Sequence, residues 1–389
     1  MLALVMSGGG ARGAYEVGVL SYLYGQLAQS LGPPRFDIVC GTSVGAINGA
    51  FMASVAHDPG PGTRRLEALW RDLEMPQVLG FNMIQAQRLH RVLLGGRRGA
   101  GLFDASPMTD IIRSEIDYRQ LARNVRAGRL KALTVTATHV PTGQPTVFVD
   151  KHPSVALPKL SARNVVVRTA HVMPYHVLAS AAIPILFPPV FIRTDLYCDG
   201  GLRLNTPLGP AIRLGADRVL VIGMTGQTHD RVEIPPSRFP GLPFLLGKVL
   251  DAFLLDHVNL DIEELERINE LLQDGIAAYG PEFLDRVNAE AAKRGHPPRR
   301  LIDSLVIRPS RDMGEMAADF LRRERVAIRR RLGRAFLRLM DVGEGADSAD
   351  LASYLLFDGG FCSELIELGR ADAAARHDEL TAFLSPRGS

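Results

Sequence analysis

The sequence predicts an α/β protein with three layers, α/β/α, around a mainly parallel central sheet and a helical C-terminal extension. Three observations carry that prediction. Short, mostly apolar runs, Leu2 to Met6, Phe36 to Cys40 and Arg218 to Met224, have the pattern of strands buried on both faces. Segments of helical periodicity alternate with them, the arrangement that builds a parallel sheet covered on each side. Near the N-terminus two glycine-rich turns, Ser7 to Tyr15 and Gly41 to Gly45, each join an apolar run to a helix.

Composition bounds the rest. A chain of 389 residues is long enough for a large core, and 46% apolar with 22% charged residues describes a folded protein. A net charge of +3 is too small to point to nucleic acid. Cys40, Cys198 and Cys362 are too few for a disulfide framework and lack metal-ligand spacing, so we expect no metal, no cofactor and a reducing compartment. Leu2 to Met6 has no basic leader, and Val177 to Ile192 is broken by Pro184, Pro188 and Pro189. The expectation is a cytoplasmic protein without signal peptide or transmembrane helix, with peripheral membrane contact.

In order, Leu2 to Met6 is the first strand, and Val17, Leu20, Leu23, Tyr24 and Leu27 mark the apolar face of the first helix. The run Gly8-Gly9-Gly10-Ala11-Arg12-Gly13 between them lets backbone N–H groups converge on an anion. It lacks the Gly-Lys-Ser/Thr of a Walker loop and the acidic residue that closes the second strand of a dinucleotide fold. An oxyanion cradle or a purely structural loop remains. The second strand runs into Gly41-Thr42-Ser43-Val44-Gly45, a strand–turn–helix corner with a serine at its apex. Only one strand precedes it, which is too few for an α/β-hydrolase.

Residues 57–103, flanked by Pro59-Gly60-Pro61-Gly62 and Gly95 to Gly101, are expected to form a cap or mobile segment near the cleft. Ser106-Pro107 starts a helix. Leu130 to Thr138 and Pro145 to Val149 form a hairpin, and His176 to Ala182 form a small-residue helix. Val190 to Ile192 and Leu196 to Cys198 are two strands, the second entering Asp199-Gly200-Gly201. Leu208 to Gly215 is helical and Arg218 to Met224 is a buried strand. The Pro- and Gly-rich stretch 227–243 marks a boundary, giving a catalytic unit over 1–225 and a mostly helical region over 226–389. One strand in that region, 304–307, returns to the core. There, Asp251 to Glu290 carries eleven acidic and two basic residues, and Phe320 to Met340 carries eight arginines and one glutamate. The basic helix 320–340 is expected either to pair with the acidic one or to lie on anionic lipid through Leu321, Ile328, Leu332, Ala335, Phe336 and Leu339.

The glycine run, the serine turn and Asp199-Gly200-Gly201 together resemble the patatin-like phospholipases. Ala179-Ser180-Ala181-Ala182-Ile183-Pro184, Phe187-Pro188-Pro189 and Asn205-Thr206-Pro207 extend the resemblance over about residues 1–225. The resemblance implies a patatin-like α/β/α fold and a Ser–Asp dyad without histidine. Ser43 would attack an acyl ester as nucleophile, and Asp199 would accept its proton and later activate water. The loop amides from Gly8, Gly9, Gly10, Ala11, Arg12 and Gly13 would hold the oxyanion; losing one such donor costs on the order of 3 kcal/mol in other hydrolases. Gly41, Gly45, Gly200 and Gly201 would support the two motifs. Arg12 stands at the family's basic position, to orient the loop, attract a lipid phosphate or sit in a structural salt bridge.

The function implied is a lipid acyl hydrolase of phospholipase A or lysophospholipase type, with a phospholipid or lysophospholipid substrate and no nucleic-acid partner. The alternatives are an acyltransferase using the same dyad and a lipid-binding scaffold with a vestigial site. The second Asp-Gly-Gly, at Asp358, precedes a helix without a strand before it and reads as a helix-start turn. Of ten histidines, His171 and His176 lie nearest the motifs, with packing or surface roles expected.

Overall fold

The computed structural model describes residues 1–80, 101–157, 165–226, 248–249, 257–296, 298–324 and 349–385. β1 (Leu2–Met6) leads through a single 3-10 turn, Gly10–Arg12, into α1 (Gly13–Tyr24). Gly25 interrupts that helix, so Leu27 lies on a separate α2 (Gln26–Leu31). β2 (Ile38–Thr42) passes through Ser43 into α3 (Val44–Ser54), followed by α4 (Pro59–Arg71) and α5 (Met75–Val78). Then come α6 (Ser106–Glu115), α7 (Tyr118–Arg126), β3 (Ala132–His139), β4 (Pro145–Lys151) and β5 (Val166–Thr169). α8 (Pro174–Ser180), β6 (Val190–Ile192), β7 (Asp195–Asp199), α9 (Leu208–Arg213) and β8 (Arg218–Ile222) complete the N-terminal part. Beyond it lie α10 (His257–Tyr279), α11 (Phe283–Lys293), β9 (Asp303–Ile307), helical residues 313–324, α12 (Ala349–Leu355), α13 (Gly359–Ala375) and α14 (His377–Leu384).

The sheet is ordered β5-β4-β3-β2-β1-β8-β9, with β7 paired to the far end of β3 and β6 to β7. The stretch from β3 through β9 is parallel, whereas β3 with β4 and β3 with β7 are antiparallel. Strand alternation divides the core as a covered sheet requires. Leu4 and Met6 pack with α1, α3 and α13 on one face, while Ala3, Val5 and Ile38 pack with α9 and α10 on the other. β5, which no sequence signal marked, is a four-residue strand whose last two residues are exposed; its apolar pattern is too short to stand out.

The C-terminal part is built into this core. β9 extends the sheet in parallel register, Arg218 opposite Asp303 through Ile222 opposite Ile307. α13 lies directly on α1, where a Cβ at Gly18 would come within 2.1 Å of Ile366 O and one at Gly369 within 2.2 Å of Tyr15 O. Only glycine permits that crossing distance. The expected division at 225 therefore cuts across one hydrophobic cluster, in which Leu4 and Tyr15 share packing with Tyr354, Phe361 and Leu365.

Of residues 57–103, expected to form a cap or mobile segment, 57–80 and 101–103 are described. Leu66 and Trp70 of α4 and Met75 and Val78 of α5 are buried in the main cluster. Residues 81–100 lie outside the described residues. The helix start at Ser106 is as expected, but Asp104 supplies the capping oxygen, accepting from both the N–H (3.0 Å) and the hydroxyl (2.7 Å) of Ser106. Of the basic helix 320–340, only 320–324 are described. There Phe320 and Leu321 are buried in the protein core, so Leu321 is not available to lipid.

Candidate active site

β2 ends at Thr42 and α3 begins at Val44, which leaves one residue for the turn. Ser43 makes it with φ 53° and ψ −124°, a conformation that L-residues rarely adopt and that marks a strained corner. The flanking glycines are required by contact: a Cβ at Gly41 would lie 2.2 Å from Gly45 O, and one at Gly45 would lie 2.5 Å from Met6 O. The strained peptide is pinned by Ser180 at the end of α8. Its hydroxyl accepts from the Ser43 N–H (2.9 Å) and donates to Thr136 O (2.6 Å). Sequence reading took Ser180 only as part of a motif; nothing local signals a bond across 137 residues.

Asp199 arrives on the last residue of β7, which pairs with Ala137 of β3. Its carbonyl accepts from Thr138 Oγ1 (2.9 Å) and its N–H donates to Ala182 O (2.9 Å), fixing the main chain. One carboxylate oxygen accepts the Gly201 N–H at 2.7 Å, and the other accepts the Ser43 hydroxyl at 2.6 Å. Gly200 is forced, since a Cβ there would meet Thr136 O at 2.3 Å. Ser43 and Asp199 are 2% and 1% exposed. Burial pushes the Asp199 carboxyl up to about 7, against the opposing pull of its Ser43 and Gly201 hydrogen bonds. The structure thus brings together a hydroxyl and a carboxylate at one desolvated point, each held by main-chain bonds from several elements.

The glycine loop passes alongside, and the structure divides its six residues. The Gly8 N–H donates to Asn205 Oδ1 (3.0 Å), the Arg12 N–H to Gly9 O (3.1 Å), and the Gly13 N–H to the carbonyls of Gly10 and Ala11. These three amides are engaged, which corrects the expectation that the whole loop donates outward. Among the described residues the amides of Gly9, Gly10 and Ala11 make no such hydrogen bond, and Gly10 lines the cavity beside Ser43. Asn205 and Thr206 anchor the loop, the latter through Ser7 Oγ at 2.8 Å, which gives the Asn-Thr-Pro motif a physical role that its sequence did not disclose.

The model of the patatin-like phospholipase family matches residues 4–212, more than half of the chain. The chain belongs to that family. A curated relative, the cGAMP-activated phospholipase of Pseudomonas aeruginosa, is 30% identical over 206 residues, 52% of this chain and 53% of that protein. The match thus spans about half of the relative's length. Among solved structures, VipD of Legionella pneumophila is similar with a TM-score of 0.31 and 12% identity over 80% of this chain and 62% of that one. ExoU in its heterodimeric complex with SpcU, from the type III secretion system of Pseudomonas aeruginosa, gives a TM-score of 0.24 and 16% identity over 100% and 73%.

Outside the matched family region, the C-terminal part closes the site. Arg12 is 4% exposed; its Nε donates to Ser353 Oγ at 2.8 Å and its guanidinium lies 4.1 Å from the centre of the Tyr354 ring. The side chain therefore holds the loop against α12 rather than facing a lipid phosphate in solvent. Gly10, with φ +58°, lies so close that a Cβ would meet Tyr354 O at 2.3 Å. An apolar cavity of about 100 Å³ runs from Ser43 between Val44, Ile47, Leu66, Trp70 and Leu355. A buried polar chain backs the loop: Trp70 Nε1 donates to Asn48 Oδ1 (3.1 Å), and Asn48 Nδ2 to Gly13 O (3.1 Å) and Glu16 Oε2 (2.8 Å). Burial raises the Glu16 carboxyl well above its ordinary range, against the opposing pull of hydrogen bonds from Asn48 and the Ser7 backbone.

The other candidates fall away from this family's site. His176 is buried against Phe148 and accepts the Met173 N–H (3.0 Å); burial, aided by Arg193, lowers it to about 4, so it stays neutral. His171 is exposed beside Asp150. Asp358 caps α13, accepting from the Gly360 N–H at 3.0 Å, the same two-residue turn that Asp199 makes with Gly201. Cys40 and Cys198 flank β3 four residues apart, at Thr134 and Thr138, and both thiols are free and pushed up to about 12 by burial. Among the described residues no group of acidic, Cys and His side chains could hold a metal, and no helix is long and apolar enough to cross a membrane.

Proposed function

We propose that this chain is a lipid acyl hydrolase of phospholipase A or lysophospholipase type, cleaving a carboxylic ester through an acyl-Ser43 intermediate. The observation that carries the reading is the 2.6 Å hydrogen bond from Ser43 to Asp199 at the end of an apolar cavity. Ser43 Oγ attacks the ester carbonyl while its proton passes to Asp199 Oδ2. The tetrahedral oxygen is stabilised by the unengaged amides of Gly9 and Gly10, with α1 starting just beyond. Collapse expels the alcohol, which takes the proton from Asp199. Water then gives a proton to Asp199, attacks the acyl-serine and releases the carboxylic acid, and Ser43 recovers its proton. The acyl chain occupies the apolar cavity, whose walls reward alkyl burial by about 0.8 kcal/mol per methylene.

A fluorophosphonate probe tests the reading. Labelling mapped to Ser43, lost in Ser43→Ala and in Asp199→Asn, is expected; labelling at another serine, or none in a folded protein, contradicts it. The reading extends to a membrane-borne substrate, reached through peripheral contact by the arginine-rich stretch 322–340, of which 325–340 lie outside the described residues. Co-sedimentation with anionic vesicles but not with neutral ones is the expected sign, and equal binding to both would refute that part.

A further inference from the structure

Ser43 stands at the C-terminal end of the parallel strands. At their other end a second cavity, of about 620 Å³, opens where β1, β3, β8 and β9 begin. Its size falls within the roughly 300–1,000 Å³ of small-molecule sites. One wall is aliphatic, formed by Ile212, Leu265, Ile268, Leu272 and Ile302. The other is cationic, formed by Lys131, Arg213, Arg299 and Arg300, and no Asp, Glu or aromatic ring lines the cavity among the described residues.

Two of these cations are already engaged. Lys131 pairs with Asp37 at 3.0 Å, and Arg300 donates to Ile212 O. Arg300 nevertheless keeps a buried Nε with no hydrogen-bond partner. Arg213 and Arg299 form no ion pair among the described residues. Arg213 is half-buried on α9, and desolvation lowers its pKa: a cation withdrawn from water without a counter-charge. Such an arrangement is costly when empty and is relieved by an anion.

We propose that this cleft binds an amphiphilic anion, its head group held by Arg213 with Arg299 and Arg300 and its alkyl chain laid along Leu265, Ile268 and Leu272 of α10. A planar guanidinium pairs bidentately with a carboxylate or phosphate, which explains arginine on the cationic wall. The aliphatic wall suits a saturated chain, whereas a nucleobase takes its stacking energy from aromatic rings that this cavity lacks. Binding here requires no turnover, so the inference does not rest on the catalytic reading.

The test uses the full chain as Ser43→Ala, titrated calorimetrically with monomeric dodecanoate, dodecyl phosphate, dodecanol, acetate and adenosine monophosphate. A diazirine analogue of dodecanoate locates the site by peptide mapping. Labelling of the peptide holding Leu265 to Leu272 is expected, with at least ten-fold weaker binding of dodecanol and acetate. Arg213→Gln is expected to weaken dodecanoate at least ten-fold. Arg299→Gln, at an exposed position that leaves folding intact, is expected to weaken it several-fold. Tighter binding of dodecanoate than dodecyl phosphate assigns the head to a carboxylate, the reverse order to a phosphate, and both support the site. Labelling confined to peptides around Ile47 and Leu66, affinity unchanged in both arginine variants, or preference for the nucleotide overturns the proposal.

Discussion

Arg12 and Ser353 are 341 residues apart in sequence and joined by a buried 2.8 Å hydrogen bond. The bond ties the glycine loop to α12, and the Tyr354 ring lies against the same guanidinium. A helix outside the matched family region thereby holds the loop that carries Gly9 and Gly10. Losing a buried hydrogen bond to a charged group costs about 1.5–3 kcal/mol. We expect Ser353→Ala to lower kcat roughly ten-fold with KM nearly unchanged, and Tyr354→Ala to lower it further. Tyr354→Phe keeps the ring and is expected to retain most activity. Steady-state kinetics on a soluble ester checks this; equal losses in all three variants would detach the loop from α12.

With Asp199 as the proposed base, its carboxyl, raised to about 7, is expected to set the pH dependence. The base must be ionised, so kcat/KM is expected to rise about ten-fold per pH unit below 7 and to level off above it. Stability runs the opposite way. A native pKa above the unfolded value means that the folded protein holds its proton more tightly, so stability is full below about pH 4 and is lost as pH rises through 7. Asp199→Asn lacks that loss. It is expected to be inactive and, at pH 8, more stable than wild type by a few kcal/mol, a margin that closes towards pH 4. Thermal melts across pH measure it.

Asp358 provides the control for Asp199, since both make the same turn to an N–H two residues on. Asp358→Asn is expected to keep ester hydrolysis and to lose no more than about 1 kcal/mol of helix capping. Activity lost at Asp358 and kept at Asp199 would reverse the assignment.

Glu16 is fully buried and holds Asn48, which in turn holds Gly13 O and Trp70. Because burial favours the protonated carboxyl, Glu16→Gln is expected to be nearly silent in both stability and rate. Glu16→Ala leaves Asn48 short of an acceptor and opens space, with an expected loss of about 2–4 kcal/mol. Chemical denaturation of the two variants distinguishes them; a severe loss in Glu16→Gln would show that the ionised form is needed.

The fold was legible where its signals are local. β1, β2, β8 and β9 are apolar runs, and Gly41, Gly45 and Gly200 stand where a Cβ would strike a carbonyl, so the turns announce themselves. The partners of those turns were not legible. Ser180 meets Ser43 and Asn205 meets Gly8 only because the sheet brings residues 137 and 197 apart in sequence together. The sequence around α4, read only as part of a cap or mobile segment, does not reveal its depth of burial, and a glycine run alone does not reveal that Gly8, Arg12 and Gly13 have spent their amides within the protein.

In the proposed function Ser43 and Asp199 together cleave lipid esters. Mass spectrometry of the products from a mixed phospholipid extract tests it most directly, with wild type, Ser43→Ala and Asp199→Asn compared at equal folded concentration. Free fatty acid and the matching lysolipid or deacylated head group are expected from wild type alone, with both variants at least a thousand-fold slower. Undiminished fatty-acid release by either variant, or no lipid cleavage by wild type, would contradict it.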